Sequence, residues 1–383
     1  MFLGSRAVTF SIFFIKAQKM NSSLALYDEA EGNTTELEIA LESILGGISV
    51  VYSNGMAASF ATLLLCRPKN IWLVPGYFGT TQAMRLISSV AHIEIIKLEK
   101  DPGTPELQAA CTSEYFTEVP PNMLWIESPV NPTGEIIDLQ RHLACICKTY
   151  NLSRREIIVI CDATLAPPPL SFPFDFGKCF PNNLHDIGAD IVIHSATKIL
   201  GGHSDLLAGI VALQSPTLAK KLQKQRSTLG TSLADFEAKL LMESLSTAQI
   251  RIKQQSSTCT QLVEWLSKSP HPELPTGVMK NVIHGSLQTL MPTQKKQVSL
   301  GHAYVFSIIF ETQEIARCIP YEFDIIKSAT SLGGGQTLME WRYEIDLEQD
   351  PKLCRVTVGI ESLEALKQDF IKTFAKLSSN FKK

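Results

Sequence analysis

The feature that most constrains this chain is a series of short apolar runs, each closed by a small or polar residue and followed by a helical pattern. The runs are Ile48–Ser53, Ile71–Gly76, Ile93–Glu99, Asn122–Glu127, EIIVIC closing on Asp162, Ile191–Ile193 and Leu207–Leu213. Such runs have strand length, and their alternation with helices predicts an α/β fold: a mainly parallel sheet with helices on both faces. In sheets of this kind ligands sit beyond the carboxyl ends of the strands. Ser53, Tyr77, Glu127, Asp162 and Ser195 all lie at or just past such ends, so they are expected to gather on one edge.

The intervening segments supply the helices. Thr35 and Glu38 form a capping-box pattern that starts a helix ending at Gly46-Gly47, with Leu37, Leu41 and Ile44 on its apolar face. Leu139–Tyr150 reads as an amphipathic helix, and Ser215 to Ser267 as one long helical region. The proline-bearing stretch Pro270–Pro275 marks a boundary. Past it, a strand at Tyr304–Phe310 and a helix at Leu363–Leu377 predict a smaller C-terminal α+β domain. The expected division is a short arm over 1–34, a large domain over 35–268 and a small domain over 269–383.

Composition narrows the function classes. With 35 Lys and Arg against 38 Asp and Glu, the chain has no basic footprint for nucleic acid. Nine cysteines are scattered without a CxxC pair, which indicates neither a zinc site nor a disulfide framework, and fits buried thiols in a reducing compartment. Phe10–Ile15 is too short to span a bilayer, so no membrane partner is expected. A cytoplasmic protein is expected, with a weak organellar presequence as the alternative, because no acid precedes Asp28.

Lys198 stands alone after the run Ile191–Ile193, in GADIVIHSATKILGGHSD (Gly188–Asp205). A single lysine in a loop is more often a surface charge. Burying an ammonium is costly, and condensation with an aldehyde removes that cost. The residues around it fit such a use. Asp162 at a strand end could keep a pyridinium nitrogen protonated, so that the ring acts as an electron sink. Tyr77 could stack on the ring, and the Gly55 and Met56 N–H groups, with the Ser195 and Thr197 hydroxyls, suit a phosphate. Each residue has an ordinary structural reading; together on one sheet edge they point to pyridoxal phosphate.

CDATLAPPP, GADIVIHSATKILGGHSD, SNGMAA, ESPVNPTG, TSLGGGQTL and CRVTVGIES resemble the motifs of the Cys/Met-metabolism family of pyridoxal-phosphate enzymes, in the family's order from about Glu36 to the C-terminus. That family includes cystathionine γ-synthase, cystathionine β- and γ-lyases and homoserine-ester sulfhydrylases. The resemblance implies a fold-type-I, aminotransferase-like architecture, an amino-acid substrate, and a homo-oligomer, dimer or tetramer. It matches Lys198 to the Schiff-base lysine, which is also the base at the α-carbon, and Asp162 to the pyridinium partner. Tyr77 matches the stacking tyrosine, with a catalytic and substrate-facing role. Gly55, Met56, Ser195 and Thr197 match phosphate ligands, and Asn131 and Thr164 match residues lining the ring. Arg355 matches the clamp on the substrate carboxylate, with Ser331 beside it; a planar guanidinium fork suits that task.

Three departures are legible. Tyr27-Asp28-Glu29 stands where the family's arm carries Tyr-x-Arg, placing an acid near a phosphate site. Phe78 replaces a glycine after Tyr77, and Gly79 lies where methionine γ-lyases favour Cys, which disfavours that activity. Thr330 precedes Ser331 where several γ-acting members carry Glu, and Glu340-Trp341-Arg342 lacks the usual His-Pro. The expected function is a trans-sulfuration enzyme most like cystathionine γ-synthase. The alternatives are cystathionine β-lyase or a related C–S lyase, and a non-catalytic family member. A nicotinamide-binding protein is disfavoured, because no GxGxxG follows a strand.

Overall fold

The computed structural model describes residues 32–102, 119–176, 188–298 and 300–381. The expectations placed on the arm and on Tyr27-Asp28-Glu29 lie outside these residues. The first sheet holds β1 (Ile48–Tyr52), β2 (Asn70–Leu73), β3 (Glu94–Lys97), β4 (Asn122–Glu127), β5 (Ile157–Asp162), β6 (Ile191–Ser195) and β7 (Gly209–Leu213). Their order is β1-β7-β6-β5-β4-β2-β3. Pairs from β6 through to β3 are parallel, as expected, whereas β7 runs antiparallel to both β6 and β1. The cause is local. Residues 196–208 between β6 and β7 contain turns and no crossover helix, and without a crossover the chain can only return antiparallel.

Helices α1 (Gly32–Leu45), α2 (Gly55–Cys66), α3 (Phe78–Ser88), α4 (Leu139–Tyr150), α5 (Pro216–Leu229) and α6 (Asp235–Leu266) belong to this sheet's surroundings. They cover both faces, so β4 and β5 are buried at every residue and read as unbroken apolar runs. One face carries Leu37, Leu41, Leu124, Val159 and Leu241; the other carries Ala61, Leu63, Met84, Trp125 and Ile160.

Two helix expectations are corrected. The first helix starts at Gly32, three residues before Thr35, and Glu38 faces inward rather than capping. Its Oε1 accepts from the Val51 N–H (2.9 Å) and from Arg226 Nη1 (2.6 Å), which also donates to Val51 O (2.9 Å). A buried carboxylate requires such partners, and the pair ties α1, β1 and α5 together. The long helical region is two helices, because Gly230 takes a left-handed conformation (φ 64°) that caps α5.

The second sheet has the order β10-β11-β12-β9-β8, with β8 (Met279–Ile283), β9 (Val305–Phe310), β10 (Lys327–Ser328), β11 (Leu338–Trp341) and β12 (Leu353–Thr357). Helices α7 (Pro292–Gln297), α8 (Gln313–Cys318) and α9 (Leu363–Phe381) accompany it. Phe306, Phe310, Phe370 and Phe374 form its core with Cys259, Leu262 and Leu266 from the end of α6. The two sheets meet through polar ties. Ser307 Oγ donates to Pro132 O (3.0 Å), and Gln255 Nε2 of α6 donates to Gly334 O (2.8 Å) and Val358 O (2.9 Å). These ties bring the segment 330–335 against the edge where the parallel strands end. Among the described residues no helix is long and apolar enough to cross a membrane.

Candidate active site

The strand ends converge as expected, and the bonds between them can be followed in sequence. Glu127 ends β4 and pairs in register with Asp162, which ends β5. Both carboxylates are buried, at 5 % and 8 % exposure. Glu127 accepts from the Tyr77 N–H through Oε2 and from the Asn131 N–H through Oε1 (2.8 Å), so one side chain fixes the backbone of both residues. Asp162 Oδ1 accepts from the Thr164 N–H (3.0 Å), and Thr164 Oγ1 accepts from the Ser195 N–H (2.8 Å). Among the described residues Asp162 has no cation beside it.

Gly55 opens α2, whose cap is Asn54, with Oδ1 accepting from the Ala57 N–H (2.9 Å). A Cβ on Gly55 would lie 2.9 Å from Ser195 Cβ, so only glycine lets the helix N-terminus approach β6. The Gly55 and Met56 amides therefore lie beside Ser195 at the positive end of a helix. Thr197 lies two residues past Ser195, in the turn that follows β6. Its hydroxyl accepts from the Ala208 N–H (3.1 Å) and faces Ala208 O (3.4 Å), holding the return to β7. Tyr77 caps α3 and is 37 % exposed, with its ring edge-on to Phe78 at 4.9 Å between centroids. A Cβ on Gly79 would fall 2.5 Å from that ring and 3.0 Å from Met56 Sδ, so a cysteine there would displace Tyr77.

Lys198 sits in the turn after β6, and its Nζ donates to Ser331 Oγ (3.3 Å). Burial, then the nearby Arg355, lower its pKa to about 8 against the opposing effect of Glu340. Two residues that were not among the expected site residues hold this turn. Arg251 of α6 donates to Ile199 O (2.8 Å) and Leu200 O (3.1 Å), satisfying carbonyls that a helix would otherwise occupy. Gly333 (φ 91°) lies so close that a Cβ would stand 2.6 Å from Ile199 N and 2.9 Å from Lys198 Cα. Gly333 was visible as part of TSLGGGQTL; Arg251 carried no local signal.

Arg355 is 3 % exposed on β12. It reaches Asn131 Oδ1 (3.2 Å), Thr330 O (2.9 Å) and Glu340 Oε2 (2.7 Å). Arg342 meets the same Glu340 oxygen at 2.7 Å. Neither Glu340 nor Arg342 was read as a site residue. A cleft of about 460 Å³ opens here, lined by Thr330, Ser331, Glu340, Trp341 and Tyr321.

Burial, then the neighbouring Asp162, push the Glu127 pKa up to about 8, against the N–H groups of Tyr77 and Asn131 and the Arg342 guanidinium. Unfolded, the carboxyl would titrate near its ordinary value of 4.5. Between these values the folded state binds the extra proton, so stability falls as pH rises. Glu127→Gln removes this term. In cofactor-free protein, the drop in unfolding midpoint between pH 5.5 and 8 should shrink by roughly 5 °C relative to wild type. Thermal unfolding at the two pH values measures it, and equal drops would assign the slope elsewhere.

Comparison with known proteins places this geometry. The family model described as Cys/Met metabolism PLP-dependent enzyme matches residues 27–375. Cystathionine beta-lyase MetC of Bacillus subtilis is 28 % identical over 363 residues, covering 90 % of this chain and 85 % of that protein. Cystathionine gamma-lyase of Saccharomyces cerevisiae is 26 % identical, covering 89 % and 83 %. The crystal structure of a cystathionine gamma-lyase from Micromonospora echinospora superposes with a TM-score of 0.75 at 24 % identity over 94 % of this chain and 91 % of that one, a likeness of fold. With the family model matched over most of its length, the chain belongs to the Cys/Met-metabolism family of pyridoxal-phosphate-dependent enzymes.

Proposed function

We propose that the protein is a C–S lyase of trans-sulfuration that eliminates a thiol from the β-carbon of an amino-acid substrate such as cystathionine. The residues present fit the family's cofactor. Asp162 is a buried acid with no cation beside it among the described residues, the position a protonated ring nitrogen would complete. The α2 N-terminus with Gly55, Met56 and Ser195 would receive the phosphate, Tyr77 would cover the ring, and Thr164 and Asn131 would flank it. Bound pyridoxal phosphate supplies an aldehyde for amines and an electron sink for a carbanion.

The chain's own groups account for the remaining steps. Arg355 would hold the substrate carboxylate and so fix which bond of the α-carbon faces the sink. Lys198, whose ammonium form is disfavoured by burial in the cofactor-free protein, would accept the α-proton at Nζ. Tyr77, whose phenol lies near enough to Arg342 and Arg355 to feel their charges, would return a proton to the departing sulfur. Ser331 steadies the lysine between these steps.

One observation favours the β-carbon. γ-Chemistry moves a further proton at the β-carbon, and Thr330 offers no carboxylate for it, while Glu340 is engaged by two guanidiniums. Cystathionine γ-synthase activity is the second reading, carried by motif content. Products separate them. Incubation with cystathionine and pyridoxal phosphate should yield homocysteine, pyruvate and ammonia; net formation of cystathionine from a homoserine ester and cysteine, without cleavage, would overturn the lyase. A homo-oligomer is part of the proposal, checked by light scattering.

A further inference from the structure

We propose that Glu340 is a built-in occupant of the carboxylate clamp, and that Arg342 draws it aside when a substrate carboxylate binds Arg355. This rests on Arg355 having the clamp role given above. Glu340 and Arg355 face each other directly across the antiparallel β11–β12 pair. Arg342 follows Glu340 by two residues, at the start of the turn after β11, and reaches back to it. Both guanidiniums meet one oxygen, Oε2, at 2.7 Å. The side chains are 4–5 % exposed, so water does little to screen them.

The arrangement is incomplete in a specific way. Two guanidinium charges face one carboxylate, leaving the cluster one positive charge in excess. Among the described residues Glu340 Oε1 has no hydrogen-bond partner, nor have the Nε groups of Arg342 and Arg355. Arginine and carboxylate prefer two parallel bonds, yet here one oxygen is divided between two forks. A carboxylate arriving at Arg355 supplies the missing acceptor and the missing negative charge. Glu340 then turns both oxygens to Arg342, giving two pairs and a neutral cluster. Arg355 itself need not move, since Thr330 O and Asn131 Oδ1 hold it from other sides.

The same step makes Arg342 a positioning residue. Without its guanidinium, Glu340 has only Arg355 to bind and becomes a competitor of the substrate. Trp341-Arg342 stands where the family pattern has His-Pro, so the device belongs to this chain's own sequence.

The test is calorimetric titration of the full chain with L-alanine, which has the carboxylate and amine but no leaving group, with and without pyridoxal phosphate. Arg342→Met should weaken binding about tenfold or more in both forms, and Arg342→Lys should restore most of it. Glu340→Gln should tighten binding several-fold. The double variant Arg342→Met/Glu340→Gln should return near wild type, because no occupant remains; a purely structural role for Arg342 predicts no such return. In steady-state assays of Arg342→Met the change should fall on KM more than on kcat. Wild-type affinity in Arg342→Met, a double variant as weak as Arg342→Met, or a wild type that binds no L-alanine in either form would overturn the proposal. If Arg342→Met does not fold, Glu340→Gln decides alone, and an affinity that fails to rise counts against it. Loss of the lyase reading shows separately, as absent product from cystathionine, while the cofactor-free titration still decides the clamp.

Discussion

Lys198→Ala is expected to abolish covalent attachment of pyridoxal phosphate and to lower turnover by on the order of 10⁴-fold or more, since one amine serves as attachment point and proton acceptor. The structure separates this loss from unfolding. Lys198 donates only to Ser331 among the described residues, and its pKa is lowered from 10.5 to about 8 by burial and by Arg355. A lowered lysine pKa means that folding disfavours the ammonium, so below about pH 8 the charge opposes stability. Cofactor-free Lys198→Ala should therefore unfold at or slightly above the wild-type temperature. Borohydride treatment of loaded wild type should fix the cofactor on Lys198, and the variant should release it on dialysis. The pH dependence carries the same sign: wild-type activity should rise as pH approaches 8, because only the neutral amine accepts a proton. Added methylamine should recover part of the variant's activity. A variant that keeps the bound chromophore after borohydride and dialysis, together with its turnover, would remove Lys198 from both roles.

What could be read in the sequence was whatever is local. β4 and α4 coincide with the expected Asn122–Glu127 and Leu139–Tyr150, because a fully buried strand and an amphipathic helix each leave a periodic signature. The gathering of Tyr77, Glu127, Asp162 and Ser195 followed from sheet geometry alone. The contacts that shape the site are not local. Arg251 reaches the Lys198 turn across 52 residues, and Glu340 reaches Arg355 through strand register, which no short pattern encodes. Arg355 was singled out in the sequence, but its carboxylate partner Glu340 was not, because a lone Glu next to Trp341 looks like a surface residue. Glu38 erred in the opposite direction. Its spacing from Thr35 fits a capping box, yet the buried Arg226 on α5 offers a stronger partner than the helix end does.

Asp162→Asn should divide activity from stability more sharply still. The side chain ends β5 at 8 % exposure, accepts from the Thr164 N–H, and lies in register with Glu127. Burial raises its pKa from 3.8, so in cofactor-free protein the charged form is the disfavoured one and stability falls as pH rises through this group's titration. Asparagine has the same shape and still accepts from Thr164, and it also relieves Glu127, whose pKa Asp162 helps to raise. Cofactor-free Asp162→Asn is accordingly expected to match or exceed wild type in unfolding temperature at pH 7.5. With cofactor the sign reverses. A neutral amide cannot stabilise a protonated ring nitrogen, and losing one pre-placed electrostatic partner of a developing charge lowers turnover by roughly 10³-fold. Lys198 is untouched, so borohydride should still fix the cofactor in this variant, which distinguishes it from Lys198→Ala. A variant both less stable without cofactor and fully active with it would mean that Asp162 is a structural acid, and the ring nitrogen would need another partner.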